Sequence, residues 1–355
     1  MTQLRTTGIH HITLVATDAS RSLPFYRDTL GMTLVKRAVL GSDSQAHHLQ
    51  FGDSDGSPGT LVTILVLPQA ARGRWGMGGV HHFAFGTRNE ETQLQWKRWL
   101  IDRGISVSGP FDRGYFSSIY FADPDGQILE IATRGPGYGI DEPMSALGKE
   151  MQQPAANIVI GGRDEKAIAA RVHPEPVAAI SLDMALEGIH HVSAITDDLE
   201  RAGAFYEEAL GLSLIKKTVN RDAPDIPHYF WARYDGASVA PHSAFSLFGF
   251  PPRGRVARAG AGLAHHVAFR ASTPDDQLAW RERLQSLNVE VTPVLDRGHF
   301  TSIYFRAPDG LLLELATDGP GVSTQESSAP DSELDLPEWL EPGQGRAPNA
   351  SLSLG

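Results

Sequence analysis

The chain has no cysteine in its 355 residues. That excludes a disulfide framework and any thiolate-held metal, and it fits a reducing, cytoplasmic setting. No run of about 18 apolar residues occurs, so no transmembrane helix is expected. The opening MTQLRTTGIHH lacks the apolar core of a secretory signal, and cytoplasmic localisation is the expectation. Positive charge is scarce: 31 Lys+Arg stand against 42 Asp+Glu, a formal net charge of -11. Such a balance disfavours nucleic acid, and neither nucleic-acid nor membrane partners are expected. Small-molecule chemistry is the default, with homo-oligomerisation left open.

What the chain does have is four histidine pairs that open strands: His10-His11, His81-His82, His190-His191 and His265-His266. Each pair opens a β-branched, apolar segment of strand character. Their surroundings repeat. Residues 8–48 align without a gap on 188–228, GIHHITLVATDASRSLPFYRDTLG over GIHHVSAITDDLERAGAFYEEALG. Residues 80–137 align on 264–321, with FDRGYFSSIYFADPDGQILEIATRGPG over LDRGHFTSIYFRAPDGLLLELATDGPG. The chain is therefore a duplicated half, and each half contains two units.

Each unit reads as strand, helix, then strands. After IHHITLVA, Asp18 and Ser20 are suitable helix N-caps, and Gly31 is a suitable glycine just past the helix end. The Phe25-Tyr26 and Phe205-Tyr206 pairs read as packing between helix and sheet. The predicted plan is βαβββ four times: a first pair of modules over 8–137, a linker over 138–187, a second pair over 188–321 and a C-terminal tail over 322–355. The linker shows a short helical pattern near Asp164–Arg171, and Trp339 with Leu340 could dock the tail.

Two of the four units add a lone carboxylate to a late apolar strand, Glu130 in QILEIAT and Glu314 in LLLELAT. A carboxylate there is costly unless it is paired with a cation, such as Arg113 or Arg297, or bound to a metal. The corresponding strands of the other units, GTLVTILVLP and HSAFSLFGF, have no acid. Odd units thus offer histidine alone and even units histidine plus glutamate. Two imidazoles and one carboxylate with open positions suit Fe(II), Mn(II) or Zn(II). Strict alternation places His11, Thr13 and Val15 on one face, and His10 and His265 on the face opposite the ligands. Spacing alone leaves the module pairing open, whether one with two and three with four or otherwise. His47, His48 and His228 read as surface or pocket-wall residues.

GIHHITL, the FY…LG helix, AHHVAF, DRGHFTSIYF and APDGLLLELAT together resemble the vicinal oxygen chelate superfamily, and within it the ring-cleaving dioxygenases of para-hydroquinones, including chlorinated ones. The resemblance covers residues 8–137 and 188–321. It implies an α+β fold in which four βαβββ modules pair into two cupped half-barrel domains. It also implies a catalytic iron, Fe(II) with Mn(II) as the substitute, between the first and fourth modules. The implied ligands are His11, His266 and Glu314, and the implied surrounding catalytic residues are His10, Thr13, His265, Arg297 and Tyr304. The duplicate set of His82, Glu130, His191, Arg113 and Tyr120 would be vestigial or structural. The expected reaction is O2-dependent opening of an electron-rich aromatic ring, with Tyr304 supplying a proton or hydrogen bond and Arg297 stabilising anionic oxygen. A catechol dioxygenase, a glyoxalase-like metal isomerase or lyase, and a metal-free protein that binds aromatic drugs are the competing readings.

Overall fold

The computed structural model describes residues 4–40, 43–251, 254–319 and 325–326. Module one comprises β1 (Ile9–Ala16), α1 (Ala19–Pro24), β2 (Thr33–Leu40), β3 (Asp43–Gly52) and β4 (Leu61–Val66). Module two comprises β5 (Val80–Thr87), α2 (Glu90–Ile101), β6 (Ser108–Asp112), β7 (Ser117–Ala122) and β8 (Ile128–Thr133). The linker carries α3 (Glu165–Ala170), capped by Asp164 where the helical pattern was expected. Module three follows with β9 (Ile189–Thr196), α4 (Leu199–Leu210), β10 (Ser213–Asn220), β11 (Ala223–Ala232) and β12 (Ala244–Gly249). Module four has β13 (Ala264–Ala271), α5 (Pro274–Ser286), β14 (Leu295–Asp296), β15 (Thr301–Arg306) and β16 (Leu312–Thr317). Of the tail, only β17 (Gln325–Glu326) is described; Trp339 and Leu340 lie outside the described residues.

The strands form two curled sheets, the two cupped half-barrels of the expected fold. One is ordered β14-β15-β16-β13-β1-β4-β3-β2-β17 and the other β10-β11-β12-β9-β5-β8-β7-β6. Each sequence half therefore gives one module to each sheet: module one joins module four, and module two joins module three. The seams are antiparallel, β1 against β13 and β5 against β9, while β1–β4, β5–β8, β9–β12 and β13–β16 pair in parallel.

One face of each sheet is covered by helices and is dry. Ile12, Leu14, Phe83, Phe85, Val192, Ala194, Val267 and Phe269 line it, and Trp96, Trp280, Tyr26 and Tyr206 fill the gap beneath. The two Phe-Tyr pairs are packing residues, as expected. Two buried glutamines tie helix to sheet in duplicate. Gln93 of α2 donates to the Ser117 and Ile131 carbonyls, and Gln277 of α5 to those of Thr301 and Leu315. Each glutamine fastens the strand that carries the unit's glutamate. The caps read from sequence also hold, with Asp18 accepting from the Ser20 amide and Gly31 at φ 71° past the first helix.

The helix of module one departs from that of module three. After Pro24 the chain widens into a π-turn over Phe25–Thr29, where the Leu30 amide reaches back to the Phe25 carbonyl at 3.0 Å. Proline has no N–H to continue the α ladder. Module three has Ala204 at the matching position, and α4 runs unbroken to Leu210.

Candidate metal centre

The open face of the first sheet gathers three buried side chains at the seam of modules one and four. His11 Nε2 lies 3.4 Å from Glu314 Oε2, and His266 Nε2 lies 2.8 Å from the same oxygen. Register explains the convergence. Across β1, β13 and β16, His11 is level with Ala268 and Ala268 with Glu314, while Thr13 is level with His266. The methyl of Ala268 is short enough for His11 and Glu314 to meet above it. A longer side chain there would stand between them.

The first histidine of each pair requires a correction. Alternation placed His10 and His265 on the helix side of the sheet, but both are the extra residue of a β-bulge. Between Ile9 and His11 the partner strand advances only from Phe269 to Ala268, and between Thr13 and Leu14 it skips from His266 to Ala264. A bulge turns two successive side chains toward one face. His10 Nδ1 accordingly lies 2.9 Å from His11 Nδ1, and His265 Nδ1 lies 2.8 Å from His266 Nδ1. The signal was present in the apolar spacing. Core residues fall at 9, 12 and 14 rather than at every second position, a three-residue step that all four strands share.

A His11 ring that turns its Nε2 lone pair toward a metal beside Glu314 carries its proton on Nδ1, and that Nδ1–H donates to His10 Nδ1. Burial, and then the adjacent imidazole, push His10 and His265 down to about 3, so both are neutral at physiological pH. Glu314 is fully buried, which alone would raise its pKa; the facing His11 and His266 hold it well below the ordinary carboxylate range.

Sequence reasoning missed three further contributors. The Ser302 hydroxyl donates to Glu314 Oε1 and so leaves Oε2 turned to the histidines. Phe300 packs against His10 at 5.1 Å and His11 at 5.6 Å between ring centroids. Ala268 is the gap described above. Ser302 was readable in principle, because it lies two residues before Tyr304 in TSIYF and shares its face.

The remaining expected residues also gather here. Tyr304 meets the His266 ring edge to face at 5.6 Å, and the Arg297 guanidinium sits 5.1 Å from the Tyr304 ring centroid. Thr13 is buried, and its hydroxyl finds no hydrogen-bond partner among the described residues. Beside it, Gln50 Nε2 donates to Thr63 Oγ1 at 3.0 Å. His48 is buried in the wall of the cup.

The donor set fits a divalent cation. Although 2.8 Å apart, His266 Nε2 and Glu314 Oε2 do not meet in hydrogen-bond geometry, so two buried polar atoms point at one place with their pairing incomplete. The three donor atoms lie within 4.8 Å of one another. Two imidazole nitrogens and one carboxylate oxygen on one side of a point leave the other side open, as facial three-ligand sites do.

Residues 8–131 and 188–315 match the family model of the glyoxalase/bleomycin resistance protein/dioxygenase superfamily. The chain belongs to this superfamily. Among curated relatives, MhqO of Bacillus subtilis, named as a ring-cleaving dioxygenase, is 28% identical over 343 residues, 95% of this chain and 93% of that one. Chlorohydroquinone/hydroquinone 1,2-dioxygenase of Sphingobium indicum is 26% identical over 344 residues, 95% of this chain and 93% of that one. A crystal structure described as a dioxygenase from Bacillus subtilis superposes with a TM-score of 0.68 at 27% identity, covering 92% of this chain and 89% of its own. Glyoxalase I of Zea mays, at 18% identity and a TM-score of 0.57, shares the fold. No helix among the described residues is long and apolar enough to cross a membrane.

Proposed function

We propose that the protein is a ring-cleaving dioxygenase that opens para-hydroquinones, chlorinated ones included, with Fe(II) held by His11, His266 and Glu314. The observation that carries this reading is the convergence of those three donors beside Thr13, Tyr304 and Arg297. Full-length similarity to a chlorohydroquinone/hydroquinone dioxygenase supports it. A bound divalent iron would supply the Lewis acidity and electrons that bring a phenolic oxygen and O2 into reaction.

The chain's own residues account for the rest. Two imidazoles and one carboxylate would leave a bound divalent ion with a single net positive charge, which would favour a monoanionic phenolate over a neutral phenol. Thr13, whose buried hydroxyl finds no partner among the described residues, would hold an oxygen of the ring. Tyr304 donates a hydrogen bond or a proton to oxygen on the His266 side of the centre. Arg297, above the Tyr304 ring, adds a positive field where anionic oxygen develops. His10 and His265 keep the ligand imidazoles in the required tautomer and, being neutral, add no charge of their own.

The test is anaerobic reconstitution with Fe(II), addition of chlorohydroquinone or methylhydroquinone, and admission of air while O2 uptake and absorbance are recorded. Stoichiometric O2 consumption with loss of the aromatic band is expected, and Glu314→Gln should abolish it. No O2 uptake with any hydroquinone or catechol would refute the assignment and return a glyoxalase-like isomerase as the better reading.

A further inference from the structure

The second sheet repeats the donor arrangement at the seam of modules two and three. His82 Nε2 lies 2.9 Å and His191 Nε2 3.4 Å from Glu130 Oε2. Ala84 is level with both His191 and Glu130, as Ala268 is with His11 and Glu314. His81 and His190 are the extra residues of two bulges, and they meet their neighbours Nδ1 to Nδ1 at 2.7 and 2.9 Å. The Ser118 hydroxyl donates to Glu130 Oε1. All three donors are buried, and Glu130 Oε2, fully enclosed, completes no hydrogen bond among the described residues. A carboxylate in that setting is costly unless a cation completes it. A disused duplicate would be free to lose the bulges, the alanine and the serine, yet every one of these supports is in place.

The surroundings differ. Where the first cup has Gln50 and Leu65, the second has Phe230 and Phe248, whose rings lie 6.2 Å from His191 and 6.1 Å from His82. Between them His228 is stacked on Phe248 at 3.9 Å and hydrogen-bonded to Ser246 at 2.9 Å. The linker straps the mouth. Tyr138 lies 5.3 Å from Tyr115 and 5.6 Å from Phe230 between ring centroids, and Lys216 binds the Tyr138 carbonyl at 2.8 Å. Farther along, the Gln152 and Ile160 amides donate to the Lys217 and Arg221 carbonyls, both at 2.8 Å.

We infer that His82, His191 and Glu130 form a second divalent-metal centre, one that holds its ion behind aromatic side chains and the linker and admits water but no aromatic ring. The protein would then carry two ions of the same ligand type, only one of them open to substrate. The second ion would join modules two and three and so stabilise the fold without taking part in turnover.

The test is metal content after anaerobic loading with Fe(II) and gel filtration, by plasma mass spectrometry, repeated with Co(II) so that its visible bands report ligation. Wild type should retain two equivalents per chain. Glu130→Gln and His82→Ala should retain one, as should Glu314→Gln and His266→Ala, and the His82→Ala/His266→Ala double variant should retain none. Glu130→Gln, near-isosteric, guards against misfolding, with far-UV circular dichroism as the check. Hydroquinone-dependent O2 uptake should survive Glu130→Gln within about twofold while Glu314→Gln abolishes it. A single equivalent in wild type, lost in His266→Ala and untouched by His82→Ala, would overturn the second centre. Two equivalents with activity following Glu130 instead of Glu314 would keep the second ion but overturn both its closed, structural role and the proposed site of reaction.

Discussion

Replacing His10 by phenylalanine isolates the contribution of the acceptor that the bulge brings beside His11. Nothing that touches the metal is removed, and Phe300, already 5.1 Å from the His10 ring, offers an apolar neighbour for the new side chain. What disappears is the acceptor 2.9 Å from His11 Nδ1. His11 then has two poor choices. It can keep its proton on Nδ1, buried and unpaired, at a cost of about 1–3 kcal/mol. Alternatively, it can move the proton to Nε2, toward Glu314 Oε2 at 3.4 Å, and surrender the lone pair the metal requires. Either way metal binding bears the cost. Loss of such an outer partner weakens metal affinity by roughly 10–100-fold, about 1.4–2.8 kcal/mol, which agrees with the cost of one orphaned donor.

The assay is competition against a calibrated chelator under argon, with the dissociation constant of the first centre read in a Glu130→Gln background. His10→Phe should raise that constant by roughly 10–100-fold. His10→Asn, whose side-chain oxygen can still accept from Nδ1–H, should recover most of the loss. A His10→Phe variant that binds metal within twofold of wild type would refute the tautomer argument. The same result in His10→Asn as in His10→Phe would show that ring packing, not the acceptor, is what matters.

Three other outcomes follow from the same geometry. Ala268→Leu fills the gap over which His11 and Glu314 meet, and should abolish metal binding at the first centre while Ala84→Leu abolishes it at the second; titration of each variant reads this directly. Tyr304→Phe should lower kcat of the reconstituted enzyme by about 10²–10⁴-fold with metal content unchanged, as loss of a proton donor predicts. Asp309 is pushed up to about 6 by burial, and its Oδ2 finds no hydrogen-bond partner among the described residues, so its contribution to stability is complete below pH 4 and declines as pH rises through 6. Asp309→Asn, which can still accept from the Leu311 amide, should therefore match wild type near pH 4 and exceed it by up to about 3 kcal/mol at pH 8 in urea unfolding.

Most of the module plan was legible because duplication prints it twice. The identity of the donors was legible because a glutamate inside LLLELAT or QILEIAT has few affordable explanations. Pairing was another matter. The seam between β1 and β13 joins residues some 250 positions apart, and no local pattern distinguishes that partner from the module next in sequence. Residues that act by being small, such as Ala268, leave no chemical mark at all.

The histidine pairs lie between these cases. In IHHITLVA, strict alternation puts His10 on the same side as Ile12 and Leu14, under the helices, where an imidazole would be stranded among apolar groups. Either the sheet buries it there unpaired or the strand gains a residue. The strand gains a residue, and so do the other three at their own pairs. The resulting bulge keeps Ile9, Ile12 and Leu14 in the core and brings His10 to the open face, where its ring can support a ligand. Two adjacent histidines inside an apolar strand whose core positions step by three and then by two are therefore a readable sign of the bulge. They imply one histidine for the metal and a second to hold the first.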